Sequence, residues 1–537
     1  MAFSARIERI FLVGTVLGLT ACGGSSDPSS EAANKEAPPM SEARTAPFAD
    51  LDATAPVAEK RPVTIEQHGI ERVDPYAWMR DEGWQEVLRD PSKLDADIRA
   101  HLDDENTFYK AATDDLAGLR EQLFEEMRGR IKEDDSTVPA IDGEFAYSVR
   151  YREDGNYPIF VRTPKQSGAE TILYDGDQEA GDSEFFRIGS VDHSRDHKLI
   201  AYGVDRLGSE YYDIRIRDIA SGEEYEETLT STDGDAVWAA DSKSFYYVER
   251  DDNQRPKRVK HHMLGTPQSE DLVVYEEPDD TFFLFTDVTQ SGEYLLIGSA
   301  KGTSSEYRFL SMDAPAGTEP PLLAPRRDDE LYYVEQHGDS FLIQTNADDA
   351  IDFKVVKAPI DNPGREQWED WLTHRPGTYL LSLVPYRDHI VRLERRNALP
   401  RIVVSDVDRE NEYDIDFEEA AYNVDIDPGY EFDTTNLRFT YESPSTPEQV
   451  FDFDLSTRER TLRKTQEIPS GHDSDRYQVE RLFIEAGDGA KVPVTVLRLK
   501  STPVDGTAPL MLYGYGSYGA TMQAWFSTSV LSLVIAA

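Results

Sequence analysis

Seven short stretches of this chain recur at nearly constant spacing, and few folds accept such a pattern. DGEFAYSV turns near Glu144, RDHKLIAYGV near Lys198, ADSKSFYYV near Ser244 and SGEYLLIGS near Glu293. HGDSFLIQT turns near Ser340, YRDHIVRLE near His389 and TTNLRFTYE near Asn436. The successive intervals are 54, 46, 49, 47, 49 and 47 residues. Each stretch is a cluster of turn formers followed by aromatic and β-branched residues, the pattern of a hairpin. A period of ~40–50 residues is that of one four-stranded propeller blade. A sheet with two apolar faces needs a neighbour on each, so such units close into a ring. The spacing predicts a mainly β chain built on a seven-bladed β-propeller over residues 136–472. The competing reading is an irregular β-sandwich with accidental spacing, against which seven phased units argue.

The flanks are different in kind. Arg6 and Arg9 precede an apolar run, Ile10 to Ala21, and the only cysteine of the chain, Cys22, follows at once. That run is too short to cross a bilayer but suits the apolar region of a signal peptide. Leu19-Thr20-Ala21-Cys22 resembles the lipobox of bacterial lipoproteins, in which the thiol after the cleavage point carries a lipid. Residues 1–22 are therefore expected to be a lipoprotein-type signal peptide, with Cys22 as the lipidation site. An ordinary signal peptide with an incidental cysteine is the plainer alternative. Gly23, rather than Asp, after the cysteine suggests outer-membrane sorting, so the expected location is periplasmic or outer-membrane-anchored. Residues 23–58 are rich in Ser, Ala, Pro, Glu and Asp without apolar periodicity and read as a disordered tether.

Residues 59–135 carry helical periodicity. One stripe runs through Leu94, Ile98 and Leu102, and a second through Leu116, Leu119, Leu123 and Met127. After the repeats, residues 473–537 begin with a hairpin: Val479 to Ala486, a Gly487-Asp488-Gly489 turn, then Val492 to Leu499. Pro509 to Tyr513 reads as a short buried strand running into Gly514-Tyr515-Gly516-Ser517-Tyr518-Gly519. An apolar segment follows through Trp525, Phe526, Val530 and Leu533. A strand, a turn and one apolar segment make no core, so residues 473–537 read as the start of a truncated third domain.

Charge narrows the partners. The sequence holds 103 Asp+Glu against 56 Lys+Arg, a formal net charge of −47. Such a surface repels phosphates, which argues against nucleic acid. It steers cationic partners inward, although plain solvation of an acidic surface accounts for the same composition. No Walker loop, zinc pattern or EF-hand loop occurs, and no cofactor or metal is expected. His261-His262 is a poor shared metal site, because neighbours on a strand point to opposite faces.

HGIERVDPYAWMRDE (68–82), the repeated β region and PLMLYGYGSYGATMQAWFS (509–527) together resemble the prolyl oligopeptidase family of serine peptidases, above all its oligopeptidase B branch. The resemblance covers about 59 to 533. It implies a propeller capping an α/β-hydrolase domain, on which the 59–135 segment packs. The propeller would admit short peptides and spare folded proteins. The expected fold class is thus a seven-bladed β-propeller with an N-terminal helical segment and the beginning of a truncated α/β-hydrolase domain. By the same resemblance, Tyr515 donates its phenolic O–H to the oxyanion of the tetrahedral intermediate.

The nucleophilic Ser, the His base and its Asp lie past Ala537 in that family. A search for substitutes finds no G-x-S-x-G. Ser517 sits in Y-G-S-Y-G, and Ser299 lies out of register inside an expected blade. The ten histidines, at 68, 101, 193, 197, 261, 262, 337, 374, 389 and 472, read as turn or surface residues. The oligopeptidase B branch has acidic residues where Gln523 and Trp525 stand here, which leaves a preference for paired basic residues unsupported. The expectation is a serine endopeptidase acting after Lys or Arg on short cationic peptides, inactive in the chain as written. The alternative is a non-catalytic, lipid-anchored propeller that binds peptides or a protein partner.

Overall fold

In a computed structural model, residues 53–536 are described, apart from Ser167. The expected signal peptide, its expected lipidation site Cys22 and most of the expected tether lie outside the described residues. The described residues divide into two units, 53–126 and 127–536.

In the smaller unit, Val63–Gln67 and Ile70–Asp74 pair antiparallel, a hairpin the helical reading of this stretch missed. A helix follows over Ala96–Thr113. Asp95 caps it, its carboxylate accepting from the Asp97 and Ile98 amides and satisfying donors that have no partner within the helix. Ile98 is buried, while Leu102 and Leu119 remain exposed.

The larger unit is a succession of antiparallel sheets. Five have four strands each, over 140–175, 283–324, 332–372, 378–415 and 423–465. The stretch 187–276 forms one eight-stranded sheet. The expected seven separate blades are therefore corrected: five stand alone, and the units around Lys198 and Ser244 are joined.

The reason for the joining lies at one short strand. Val237–Trp238 covers only two residues of the Ser244–Arg250 edge. The rest of that edge is left for Thr232, which pairs with Glu249, and for the Asp233 amide, which donates to the Val248 carbonyl at 3.0 Å. Gly234 makes the turn at φ +93°, where a Cβ would strike the Tyr212 ring at 2.8 Å. Gly203 passes so close below it that a Cβ there would lie 2.2 Å from the Gly234 carbonyl oxygen. Glycine at both positions permits the approach.

Each repeated stretch delivers the second strand of a four-strand run. Leu199–Asp205 is buried along its whole length, and so are Ser244–Val248 and Leu295–Ser299. These strands have sheet neighbours on both faces. The second strands of the first and last sheets, Phe145–Arg150 and Asn436–Ser443, alternate instead. Apolar clusters join each sheet to the next. Leu173, Tyr174 and Phe186 pack with Ile200, Tyr202 and Val204, for example. Leu393 and Val404 pack with Leu437 and Phe439 in the same manner.

The first and last sheets meet largely through polar groups. Arg438 donates to the carbonyls of Val138 (3.1 Å) and Pro139 (2.9 Å). Lys464 pairs with Asp135 at 2.7 Å and also reaches the Ser136 carbonyl. Lys132 pairs with Glu467 at 2.8 Å, and the Ser470 amide donates to the Gly129 carbonyl at 3.1 Å. The chain thus comes into the ring and leaves it on the same face, which also carries the turns between second and third strands.

Tyr477–Glu485 and Lys491–Leu499 form the expected hairpin. Pro509 to Tyr513 forms no strand, because no neighbouring strand pairs with it among the described residues. Leu510, Met511, Leu512 and Tyr513 are 83%, 67%, 81% and 71% exposed. The Thr528–Ala536 helix does find partners: Phe526 and Leu531 are buried with Ile468 and Tyr477. Hairpin, loop and helix amount to no α/β-hydrolase core among the described residues.

Candidate functional site

Tyr515, the expected oxyanion donor, sits in irregular chain, about half exposed. Ser517 opens a single 3-10 turn over Ser517–Gly519. The segment is tethered on both flanks of Gln523. Arg395 donates to the Thr521 hydroxyl at 2.9 Å, and the Phe526 amide donates to the Glu442 carboxylate at 2.9 Å. Arg395 and Glu442 stand near the C-terminal ends of two second strands, so the loop lies on the face through which the chain joins the ring. Trp525 is 46% exposed and Gln523 partly buried. Burial pushes the Glu442 carboxyl above its ordinary value.

The opposite face is crossed by the loop over residues 428–433. Gln290 donates to the carbonyls of Pro428 (3.2 Å) and Gly429 (3.4 Å), from the far side of the ring. Tyr386 donates to the same Pro428 carbonyl at 3.1 Å, and the Arg387 amide to the Phe432 carbonyl at 3.0 Å. The Tyr430 ring meets Tyr147 at 5.9 Å and His193 at 5.1 Å, both edge-on. With the His337 ring 5.8 Å from Phe432, the 428–433 loop touches residues of five other strand runs and bars this mouth. It does so because the first strands converge on the ring axis and bring their turns within reach of one another.

Those first strands are acidic. They carry Asp142, Asp192, Asp287, Glu335, Asp425 and Asp427. Glu335 accepts from the Gln290 amide at 2.9 Å, and the Asp427 carboxyl is pushed up by burial. Periodicity places the strands, and these carboxylates stand on the first strands of five different sheets.

The histidines are less peripheral than expected. His261 and His262 are buried on opposite faces, as their adjacency on a strand requires: His261 stacks on Tyr246 at 4.6 Å, and His262 packs against Phe245 at 5.2 Å. His262 Nδ1 lies 2.7 Å from Asp271, whose other oxygen accepts from Tyr247 at 2.8 Å. His193 and His197 come together with Asp142 and Tyr147. Sequence spacing gave no sign of this group, since its members stand on different sheets. Among the described residues the histidine rings form hydrogen bonds with carboxylates, a phenol or main-chain groups. Ser299 is buried inside the Tyr294–Lys301 strand.

Residues 55–466 match the family model described as prolyl oligopeptidase, N-terminal beta-propeller domain. Over 501 residues the chain is 33% identical to a dipeptidyl aminopeptidase BI of Pseudoxanthomonas mexicana, covering 90% of this chain and 68% of that protein. It is 30% identical to protease 2 of Moraxella lacunata, covering 89% and 68%. Oligopeptidase B from Leishmania major superposes with a TM-score of 0.84 at 29% identity, over 90% of this chain and 70% of that one. The family model spans more than half of the chain and the 33% identical relative is matched over two thirds of its length, so the chain belongs to the prolyl oligopeptidase family of serine peptidases.

Proposed function

We propose that this chain serves the hydrolysis of short peptides bearing Lys or Arg, by serine endopeptidase chemistry, with the sheet ring restricting access. The observation that carries the substrate class is the set of six carboxylates on the first strands. An interior of one sign with low-dielectric walls concentrates ligands of the other sign. The 428–433 loop bars one mouth, so peptides reach the interior from the face that holds the Tyr515 segment. A fixed donor such as the Tyr515 phenol contributes by meeting charge that develops only in the transition state, an effect of ~10²–10³ in rate. The histidine rings bond carboxylates, a phenol or main-chain groups, and in this proposal residues 53–536 bind peptides without cleaving them. Lipidation of Cys22 would hold the ring at an exported membrane surface.

The test is binding to the purified chain, read by fluorescence anisotropy. An Arg-Arg tetrapeptide should bind, and binding should weaken as salt screens the carboxylates. Its Glu-Glu counterpart should not bind. Equal binding of the two peptides removes the charge reading. Turnover of an arginyl anilide that a serine-directed phosphonate abolishes would overturn the non-cleaving part. A second reading, removal of N-terminal dipeptides, is favoured by the name of the relative that is 33% identical. A substrate pair with free and acetylated N-termini separates the two in any catalytically complete form.

A further inference from the structure

We propose that Asp142, His193 and His197 form a binding site for a divalent transition metal of the zinc class, at the mouth barred by the 428–433 loop. One carboxylate oxygen and two imidazole nitrogens lie within 4.8 Å of one another. Two imidazoles and one carboxylate suit zinc and its first-row neighbours, whereas calcium and magnesium prefer all-oxygen sets. Three protein donors leave a fourth position for water or a ligand group.

The geometry needs only side-chain adjustment. His193 Nε2 stands 2.7 Å from Asp142 Oδ2. Two donors each ~2.1 Å from a tetrahedral zinc ion stand roughly 3.4 Å apart. The pair must part by less than an ångström, and the third donor must close by a little more.

The surroundings fix both imidazoles. Tyr147 Oη lies 2.8 Å from His197 Nδ1. A proton on Nδ1, donated to the phenol oxygen, leaves the Nε2 lone pair for a metal, which is the usual outer partnership of a metal-binding histidine. Gly143 has φ +55°, and a Cβ there would sit 3.1 Å from His197 Nε2. Its absence keeps that nitrogen clear. The His193 ring stacks on Tyr147 at 3.9 Å and 10°, with Tyr430 edge-on at 5.1 Å. Arg162 lies over the Phe145 ring at 4.2 Å and also donates to the His197 carbonyl, holding the turn. Such clamping is what separates a usable metal site from a chance cluster. Asp142 belongs to the first sheet, His193 to the first strand of the next and His197 to the turn that follows it, so a bound ion would tie the two sheets together beneath Tyr430.

The experiment is zinc calorimetry and Co²⁺ absorption on the whole purified chain, stripped with chelator, in ~0.15 M salt with excess Mg²⁺ to mask the acidic surface. One equivalent should bind in a distinct tight step, with a visible Co²⁺ band of low coordination number. His193→Ala and His197→Ala should each lose that step with unchanged circular dichroism. Tyr147→Phe should weaken it by ~10–100-fold. His337→Ala, on the same rim, should retain it. If a histidine variant fails to fold, Asp142→Asn takes its place and should also lose the step. The proposal is overturned by the lack of any one-equivalent step, by its survival in the His193, His197 or Asp142 variants, or by its equal loss in His337→Ala.

Discussion

Arg392 is fully buried in the middle of its strand, yet it carries a charge. It bonds Glu394 at 2.9 Å and Glu412 at 2.8 Å, and Glu394 is as deeply buried. Removing one member of a buried pair leaves the other uncompensated, which costs ~3–5 kcal/mol. Arg392→Met should therefore lower the urea midpoint strongly, and the double variant with Glu394→Gln should recover part of the loss. A single-variant effect under about 1 kcal/mol would show that water already reaches Glu394. Gly203→Ala tests the close approach to Gly234. With a backbone oxygen 2.2 Å from the new Cβ, the strand must shift, at a cost of ~1–3 kcal/mol by chemical denaturation. Glu442 gives a pH prediction. Burial raises its carboxyl above the ordinary 4.5, so the folded state favours the neutral form. Its contribution to stability is full below the ordinary value and is lost as pH rises through the raised folded value. Glu442→Gln, which keeps an acceptor for the Phe526 amide, should shrink the fall in thermal midpoint between pH 4.5 and neutrality. An unchanged fall would place the cause elsewhere, for example at Glu448 or Asp427, which burial also raises.

Elements in this chain are stabilised by their neighbours more than by themselves. The second strands between the ring's two ends are buried on both faces, while those of the first and last sheets alternate. Between those two sheets the closing contacts are Arg438 and Lys464. Arg438→Ala removes two carbonyl bonds and the 2.8 Å pair with Asp452. Hydrogen exchange should then quicken in 140–164 and 436–454 and stay unchanged in 332–372. Uniform quickening would mean that the ring opens as one cooperative body. The repeats were legible because turn formers and β-branched runs are local signals, and they mark the second strand of every run. The joining of two runs was not legible. It depends on one two-residue strand, Val237–Trp238, and on the pairing of Thr232 with Glu249. Strand length at an edge is decided by what else can occupy that edge. The Pro509–Tyr513 run failed as a strand for the same reason, since apolar β-formers need a partner backbone to become a sheet.

At the scale of the molecule, a net charge of −47 and an exposed apolar run stand side by side. Leu510 to Tyr513 offers contiguous apolar surface with no strand pairing. Such a patch invites association or cleavage. Limited chymotrypsin should cut within 510–515 before any site in 140–465, as mass spectrometry of the first fragments would show. Initial cuts inside the sheets would contradict the burial pattern. The sequence by itself determined the β character, the phasing of the strands, the two N-terminal helices, the final hairpin and the family resemblance. All of these rest on periodicity or on short motifs, which are properties of neighbours along the chain. The tertiary structure alone decided how many sheets stand apart, which loop bars the mouth, and that Asp142 meets His193 and His197. Those facts depend on residues about 50 to 140 positions apart being brought within a few ångströms, and no local preference encodes a distance that only the closed ring imposes.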